Sequence, residues 1–452
     1  MTVDAQLSIA ALDARTLRAH RLPARLGIST DTRTLRPGDT YLALRGERFD
    51  GHQYVAEAFA KGAVACIVAD PAVVPADLPA LIVHDTTAAY LELAHLARTR
   101  TRGGVIGITG SAGKTTTKTF LAQLLAGSQI PAVATPANEN NEIGVSKFLL
   151  ALDDGDARVA IVEMGARKFR DLDPLVDAAR PDVGILTNIG EAHLEIFGSH
   201  RRLADTKWAL FERGARAVLN LSDVESCARA ADLAAPPLWF GIGTATPPSG
   251  APAVVVRDAQ TLVVHDGTAR TEHPIDVRVP GAHNRTNLAA ALAGAVALGH
   301  PPAKLLGAVA SVTLPSGRYE SVALPGGARL IYDAYNANLS GTLATLEAFA
   351  AEPAGRRIAV LGGMAELGPQ APDMHERAGR AAAERASIVL CGGDFRDDTL
   401  RGAGAGGVAY DGNAAAIAWL QAELRDGDVV LLKGSRKYEM ETIARALGAE
   451  LA

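Results

Sequence analysis

Between residues 105 and 117 the chain reads Val105-Ile-Gly-Ile-Thr-Gly-Ser-Ala-Gly-Lys-Thr-Thr-Thr117. An apolar run of strand character, Val105–Thr109, enters a glycine turn, and Gly113-Lys114-Thr115 opens a helix. Glycines let successive backbone N–H groups turn into one concavity, and a helix N-terminus adds positive potential, so a polyphosphate fits there. Lys114 is suited to reach the β- and γ-phosphates, and the Thr115 hydroxyl to ligate Mg²⁺. The residue five before Gly113 is Ile108, so the common G-x-x-x-x-G-K-[ST] spacing is not met; the shorter Thr109-Gly110-x-x-Gly113-Lys114-Thr115 is present. The competing reading is a structural turn with an incidental lysine, and the strand-loop-helix context favours nucleotide binding.

Downstream, apolar runs at Val159–Glu163 and Val183–Thr187 alternate with helical patterns, the signature of a parallel sheet wrapped in helices. Ligand sites of such sheets gather at the C-terminal strand ends, and a hard cation beside a nucleotide wants oxygen ligands, so Glu163 is a metal-ligand candidate. A solvated glutamate is the plainer alternative. The segment Leu186–Gly198 follows another strand end and carries His193 among Asn188, Glu191 and two glycines. Lys207 falls on a predicted helix, Arg201–Phe211, where by itself it reads as an exposed lysine. Gly241–Pro252 is a loop, and Asp266-Gly267 turns a hairpin. From Leu314-Pro315 the alternation resumes, with runs at Arg329–Asp333, Arg357–Leu361, Ser387–Leu390 and Asp428–Lys433. Upstream, Thr40–Leu44 and Ala63–Val68 precede a helical stretch, Thr87–Arg98, and polar Thr99–Gly104 reads as a linker.

At roughly 150 residues per domain, 452 residues suggest about three domains. We expect boundaries at 1–98, 99–313 and 314–452. The chain is 48% hydrophobic with a net charge of −5, which argues against a nucleic-acid footprint or a polybasic membrane surface. Cys66, Cys227 and Cys391 have no metal-type spacing. The N-terminus lacks a signal-peptide core, and Leu288–Gly299 falls short of the ~20 residues a membrane span needs. A soluble, cytoplasmic protein is expected.

These residues resemble the ATP-dependent Mur ligases, which build the peptide of the bacterial cell-wall precursor, over nearly the whole chain. Thr109–Thr116 (with Gly110, Ser111, Ala112, Gly113, Lys114 and Thr115) resembles the family's ATP loop, Asn188–Gly198 its Asn-Ile-Gly-x-x-His-Leu block, and Pro280–Ala290 its H-N-x-x-N helix start. The resemblance implies a small N-terminal α/β domain, a central P-loop-type ATPase domain with a mostly parallel sheet, and a C-terminal Rossmann-like α/β domain. It implies Asn284 and Asn287 near the adenine, Asp333 on the ribose and Arg318 near the phosphates. Thr115 and Glu163 would hold one Mg²⁺; His193 and a carbamylated Lys207 would hold a second. Lys114, His193 and Lys207 are the implied catalytic residues.

Further blocks are similar to the member of that family that joins D-alanyl-D-alanine to a UDP-N-acetylmuramoyl-tripeptide. They are Thr30–Arg33, Gly46–His52, Asn138–Val145, Asp333–Asn338, Met364–Gly368 and Leu432–Arg436. By that likeness Thr30, Asp31, Thr32, Arg33, Gly46, Phe49, Asp50, His52, Asn138, Asn140 and Asn141 serve the UDP-substrate. Tyr335, Asn336, Asn338, Glu366 and Leu367 serve D-Ala-D-Ala, although Asn338 reads equally as a helix N-cap. The sister ligase's D-N-P-R motif is absent. Leu339 and Ser146 replace usual prolines and Gly363 a usual aspartate. The sister enzyme adding a diamino third residue, a folate-polyglutamate ligase and a nucleotide-switch ATPase or GTPase are the alternatives. The implied protein is a monomer without nucleic-acid partners.

Overall fold

Three α/β sheets follow one another along the chain in the computed structural model, which describes residues 2–46, 49–153, 155–190 and 194–451. The first sheet has six strands, with four parallel inner strands (Arg25–Ser29, Asp39–Leu42, Ala65–Val68 and Ala80–Ile82) flanked by antiparallel edges. Its last helix, α1 (Thr86–Arg98), is capped by Asp85, whose carboxylate accepts from the N–H groups of Thr87 and Ala88.

The central sheet has nine strands. At its middle lies β1 (Val105–Thr109), which leads into α2 (Lys114–Gly127). After it come α3 (Glu142–Leu150), β2 (Val159–Glu163), β3 (Val183–Leu186), α4 (His200–Trp208) and α5 (Ala282–Ala297). β1 is hydrogen-bonded in parallel to β2 on one side and β3 on the other, so every residue of β1 is buried and apolar except Thr109 at its end. The register pairs Glu163 with Ile108 and Leu186 with Thr109. That pairing sets the segments after β2 and β3 beside the glycine turn. The expected hairpin forms between Thr261–His265 and Arg270–Pro274, giving the sheet an antiparallel edge.

The third sheet contains β4 (Arg329–Asp333), β5 (Arg357–Gly363) and β6 (Val429–Gly434), with α6 (Leu339–Ala350) following β4 and α7 (Ala371–Ala383) following β5. It is parallel except for its first strand, Glu320–Ala323. Each large sheet has its own apolar layers, and α1 packs against α3, joining the first core to one face of the second. Leu93, Phe148 and Leu149 in that seam are buried, each side chain contributing about 1.5–3 kcal/mol relative to exposure. No helix among the described residues is long and apolar enough to cross a membrane.

Candidate active site

The glycine turn after β1 is anchored to both neighbouring strand ends. Ser111 N–H donates to the Asn188 carbonyl (3.0 Å) and Oδ1 (3.1 Å), Ala112 N–H to the same Oδ1 (3.0 Å), and Thr187 Oγ1 to the Ala112 carbonyl (2.6 Å). On the other side Thr109 Oγ1 donates to the Met164 carbonyl (2.9 Å). Gly113 has φ +81°, and a Cβ there would collide with Asn287 Oδ1, so α5 approaches the turn only because this residue is glycine. The loop is thereby preformed. Ser111 to Thr116 line a cleft; Thr109 and Gly110 lie behind it as anchors. Lys114 Nζ donates to the Gly110 carbonyl (2.8 Å); burial depresses its pKa, and Glu163 opposes that shift.

Glu163, 1% exposed, gathers a polar hub. Its Oε1 accepts from Thr115 Oγ1 (3.1 Å) and Asn140 Nδ2 (2.9 Å), and its Oε2 pairs with Lys118 Nζ (3.0 Å). Lys118 also donates to the Ala137 carbonyl (2.6 Å). Sequence reasoning passed over Lys118, although it stands one helical turn after Lys114 and so faces the same side. A buried charge needs a partner, and Glu163 and Lys118 supply each other's.

Lys207 corrects the exposed reading: it is 2% exposed, on the face of α4 that also buries Leu203 and Ala204. Ser199 caps this helix by accepting from Arg202 N–H (3.2 Å). Among the described residues Lys207 has no hydrogen-bond or ion-pair partner. Burial, reinforced by Lys114, holds its pKa well below the ordinary lysine range. His193 lies outside the described residues, and among those described no group of three His, Cys, Asp or Glu side chains assembles as a metal site.

Across the cleft, which holds about 980 Å³ including its open mouth, the third domain supplies Arg318, Asp333, Asn336, Asn338, Glu366 and Leu367. Asn284 and Asn287 enter from the start of α5, with Asn284 Nδ2 donating to the Pro280 carbonyl (2.9 Å). Asp333 stands opposite Lys433 in the β4–β6 register, and the pair closes at 3.2 Å. Burial works to raise the Asp333 pKa, but Lys433, the Thr345 hydroxyl and Arg318 outweigh it and hold the carboxyl below its usual range. Lys433 also donates to the carbonyls of Asp333 (3.1 Å) and Asn336 (2.7 Å); it falls in the Leu432–Arg436 block, which by itself assigns it no role. Arg318 stacks over Tyr335 at 4.5 Å, and Tyr335 itself does not line the cleft. Asn338 caps α6, accepting from Gly341 N–H (2.8 Å), while also lining the cleft.

The remaining candidates lie outside the cleft lining, Asn140 reaching the site through Glu163. Asp31 pairs with Arg33 (2.6 Å) and Asp50 with Arg45 (2.7 Å); Gly46 and Phe49 pair in a two-stranded ladder, with Phe49 exposed. Thr32 Oγ1 donates to Glu57 (2.9 Å). His52 is buried with both ring nitrogens engaged, Nδ1 on Asp50 (2.6 Å) and Nε2 accepting from Ala69 N–H (2.9 Å). Burial pushes the Tyr90 hydroxyl of α1 up, with Thr30 opposing that shift and Glu139, beside Asn138, Asn140 and Asn141, adding to it. Asn141 caps α3 through Gly144 N–H (2.9 Å), and the Asn138 carbonyl accepts from Asn140 N–H (2.8 Å). None of these residues lines the cleft. The three departures are all accommodated. Leu339 and Ser146 are buried, and Gly363 (φ +107°) leaves room for the Tyr438 ring that a Cβ would meet.

A preformed phosphate loop on a parallel sheet, facing a second α/β domain across a polar cleft, defines a nucleotide-binding α/β protein whose site is shared between domains. The chain belongs to the Mur ligase family: residues 26–98 match its catalytic domain, 108–295 its middle domain and 317–436 its glutamate ligase domain. It is 35% identical to the UDP-N-acetylmuramoyl-tripeptide–D-alanyl-D-alanine ligase of Synechocystis sp., over 94% of this chain and 92% of that one. It is 33% identical to the enzyme of that name from Escherichia coli, over 93% of each. The fold superimposes on MurF from Acinetobacter baumannii with a TM-score of 0.86 at 27% identity, covering 99% of both chains. It superimposes on the MurF ligase of Thermotoga maritima in complex with ADP with a TM-score of 0.81 at 26% identity, covering 93% of this chain and 97% of that one.

Proposed function

We propose that this chain is an ATP-dependent ligase that joins D-alanyl-D-alanine to the terminal carboxylate of UDP-N-acetylmuramoyl-tripeptide in peptidoglycan precursor synthesis. One observation carries the reading: a single cleft has the phosphate loop on one wall and Asn336, Asn338, Glu366 and Leu367 on the other. Amide formation in water needs an activated carboxylate. Attack of a carboxylate oxygen on the γ-phosphorus of ATP gives an acyl phosphate and ADP. The amine of D-Ala-D-Ala then adds to the acyl carbon, and the tetrahedral intermediate collapses with loss of phosphate.

Two anions meet in the first step, so cations must offset their repulsion. Lys114 and Arg318 are assigned to the phosphates, Asp333 to the ribose, and Asn284 and Asn287 to the adenine. Thr109, Gly110, Ser111, Ala112, Gly113 and Thr116 shape the loop around the phosphates. Asn336, Asn338, Glu366 and Leu367, with Tyr335 behind them, receive the dipeptide. Thr30, Asp31, Thr32, Arg33, Gly46, Phe49, Asp50, His52, Asn138, Asn140 and Asn141 are assigned to the UDP-substrate. Among these, His52, Asn140 and Asn141 act by holding the surrounding loops, since their polar atoms already have protein partners.

The oxygen donors Thr115 and Glu163 suit a hard cation. Lys207 as an amine does not, but a buried neutral amine is the form that adds carbon dioxide, losing one proton and gaining oxygen donors. Bound Mg²⁺ would neutralise phosphate charge, one ion held by Thr115 and Glu163 and a second by carbamylated Lys207 with His193. The proposed units are 1–98 for the UDP end, 99–313 for ATP, and 314–452 completing the ATP and dipeptide sites. The protein is assigned to the cytoplasm as a monomer.

The test is phosphate release with UDP-linked di- and tripeptides, each offered D-Ala-D-Ala or a diamino acid. Turnover confined to tripeptide plus D-Ala-D-Ala supports the reading. Robust turnover of dipeptide plus diamino acid identifies the sister reaction instead, and hydrolysis independent of any carboxylate identifies a nucleotide switch.

A further inference from the structure

The loop that presents Glu366 and Leu367 to the cleft leaves the end of β5, and two side chains from elsewhere hold its backbone. Met364 N–H donates to His375 Nε2 (2.9 Å), and Ala365 N–H donates to Ser435 Oγ (2.9 Å). Ser435 is itself tied down: its N–H donates to the Gly363 carbonyl (2.9 Å) and its hydroxyl to the Ala337 carbonyl (3.3 Å). His375 lies on α7, 1% exposed, with its Nδ1 donating to the Ala371 carbonyl (2.7 Å) and its ring stacked on Phe395 at 4.7 Å. An acceptor at Nε2 and a donor at Nδ1 define one neutral tautomer. Below the loop, Met364, Leu367, Ala371 and Met374 form a small apolar cluster with Ala337 and Leu339, so loop and cleft wall share one foundation. Glu366 takes φ +62°, a left-handed conformation that persists only where its neighbours are held.

We propose that His375 is the positioning residue that sets the Met364–Leu367 loop for the incoming D-Ala-D-Ala amine, acting through the Met364 N–H as a neutral ring protonated on Nδ1. This rests on the assignment of Glu366 and Leu367 to the dipeptide. Protonation of Nε2 would set an N–H against the Met364 N–H and release the loop. The groups facing the ring are Asp398 and Asp394, which favour the charged form, and Lys437, which opposes it. Burial is the dominant influence and lowers the pKa. The neutral form is therefore fully present above the ordinary histidine pKa, and the pin is lost as pH falls through the lower folded value.

His375→Ala leaves the Met364 N–H buried without an acceptor, and KM for D-Ala-D-Ala is expected to rise about tenfold or more with KM for ATP nearly unchanged. His375→Gln puts an amide oxygen close to the Nε2 position and does not titrate. It should restore most of the affinity and abolish the rise in dipeptide KM expected of the parent protein as pH falls below the ordinary histidine pKa. An unchanged dipeptide KM in His375→Ala, or an equal rise in all three KM values, overturns the proposal. If His375→Ala does not fold, the pH profile of His375→Gln decides alone, and a profile identical to the parent's overturns it. Selective ¹⁵N-histidine labelling reads the tautomer without any substrate, and a ring protonated on Nε2 at about pH 7.5 also overturns it. Absence of D-Ala-D-Ala turnover in the parent protein would instead strike the functional reading, leaving the tautomer measurement to judge the pin.

Discussion

The C-terminal wall of the cleft and helix α4 each bury a lysine, Lys433 at 4% exposure and Lys207 at 2%, and they handle the charge in opposite ways. Lys433 meets the Asp333 carboxylate and two carbonyls, so although burial still lowers its pKa, much of the cost is offset by partners fixed nearby. Lys207 meets none among the described residues, and burial forces it toward the neutral amine. A paired lysine is a fixed cation that organises a wall. An unpaired one is a nucleophile in waiting, and its environment is a reason to expect chemistry on the nitrogen. Lys114 stands between them, half-buried and bonded to one carbonyl, with Glu163 as a nearby counter-charge.

The contrast can be broken at several points. The largest effect should follow Lys114→Met, which removes the cation from the phosphate loop: kcat/KM in a phosphate-release assay should fall by about 10³-fold or more. Lys207→Met should cost about 10²-fold in activity if the nitrogen carries a ligating carbamate. Enzyme prepared without carbon dioxide should lose activity and recover it with bicarbonate, and intact mass should show the added carbon dioxide.

The same variant has a stability signature of opposite sign. In the carbon-dioxide-free protein burial holds the folded Lys207 pKa well below its unfolded value, so stability from this group rises with pH toward the ordinary lysine pKa. Lys207→Met should remove that slope and raise Tm near neutral pH. A variant that is fully active, or less stable than the parent, would count against the neutral-amine reading.

Asp333→Asn strikes the paired lysine instead. It leaves Lys433 without its counter-charge and should destabilise the fold by about 3–5 kcal/mol in denaturant unfolding. KM for ATP should rise about tenfold as the proposed ribose contact weakens. The smallest effect is expected in the first domain. Arg33 is exposed and, among the described residues, paired only with Asp31, so Arg33→Ala should change KM for the UDP-substrate by less than about threefold if that pair is only a surface contact. A larger loss would mark Arg33 as a direct phosphate ligand.

The sequence was most legible where chemistry is local. The strand-turn-helix of residues 105–117, the N-cap role of Asn338 and the hairpin at Asp266-Gly267 depend on neighbours a few residues apart, and all three stand in the structure. The glycines of the loop announce a close approach, though not what approaches. That Gly113 faces Asn287, more than 170 residues on, follows from how α5 packs against α2.

Lys118 and His375 carried no such local mark, and Lys433 lay in the Leu432–Arg436 block without a role. Each gains its meaning from a partner distant in sequence: Glu163, Asp333 and the Met364 N–H. The residues alone determined the three-part α/β plan and the nucleotide loop, because hydrophobic period and glycine spacing act over single elements. Only the tertiary structure decided which charges are neutralised and which are stranded. Burial and strand register are set by packing across the whole chain, and the same lysine is a solvated ornament or a buried reagent according to what lies opposite it.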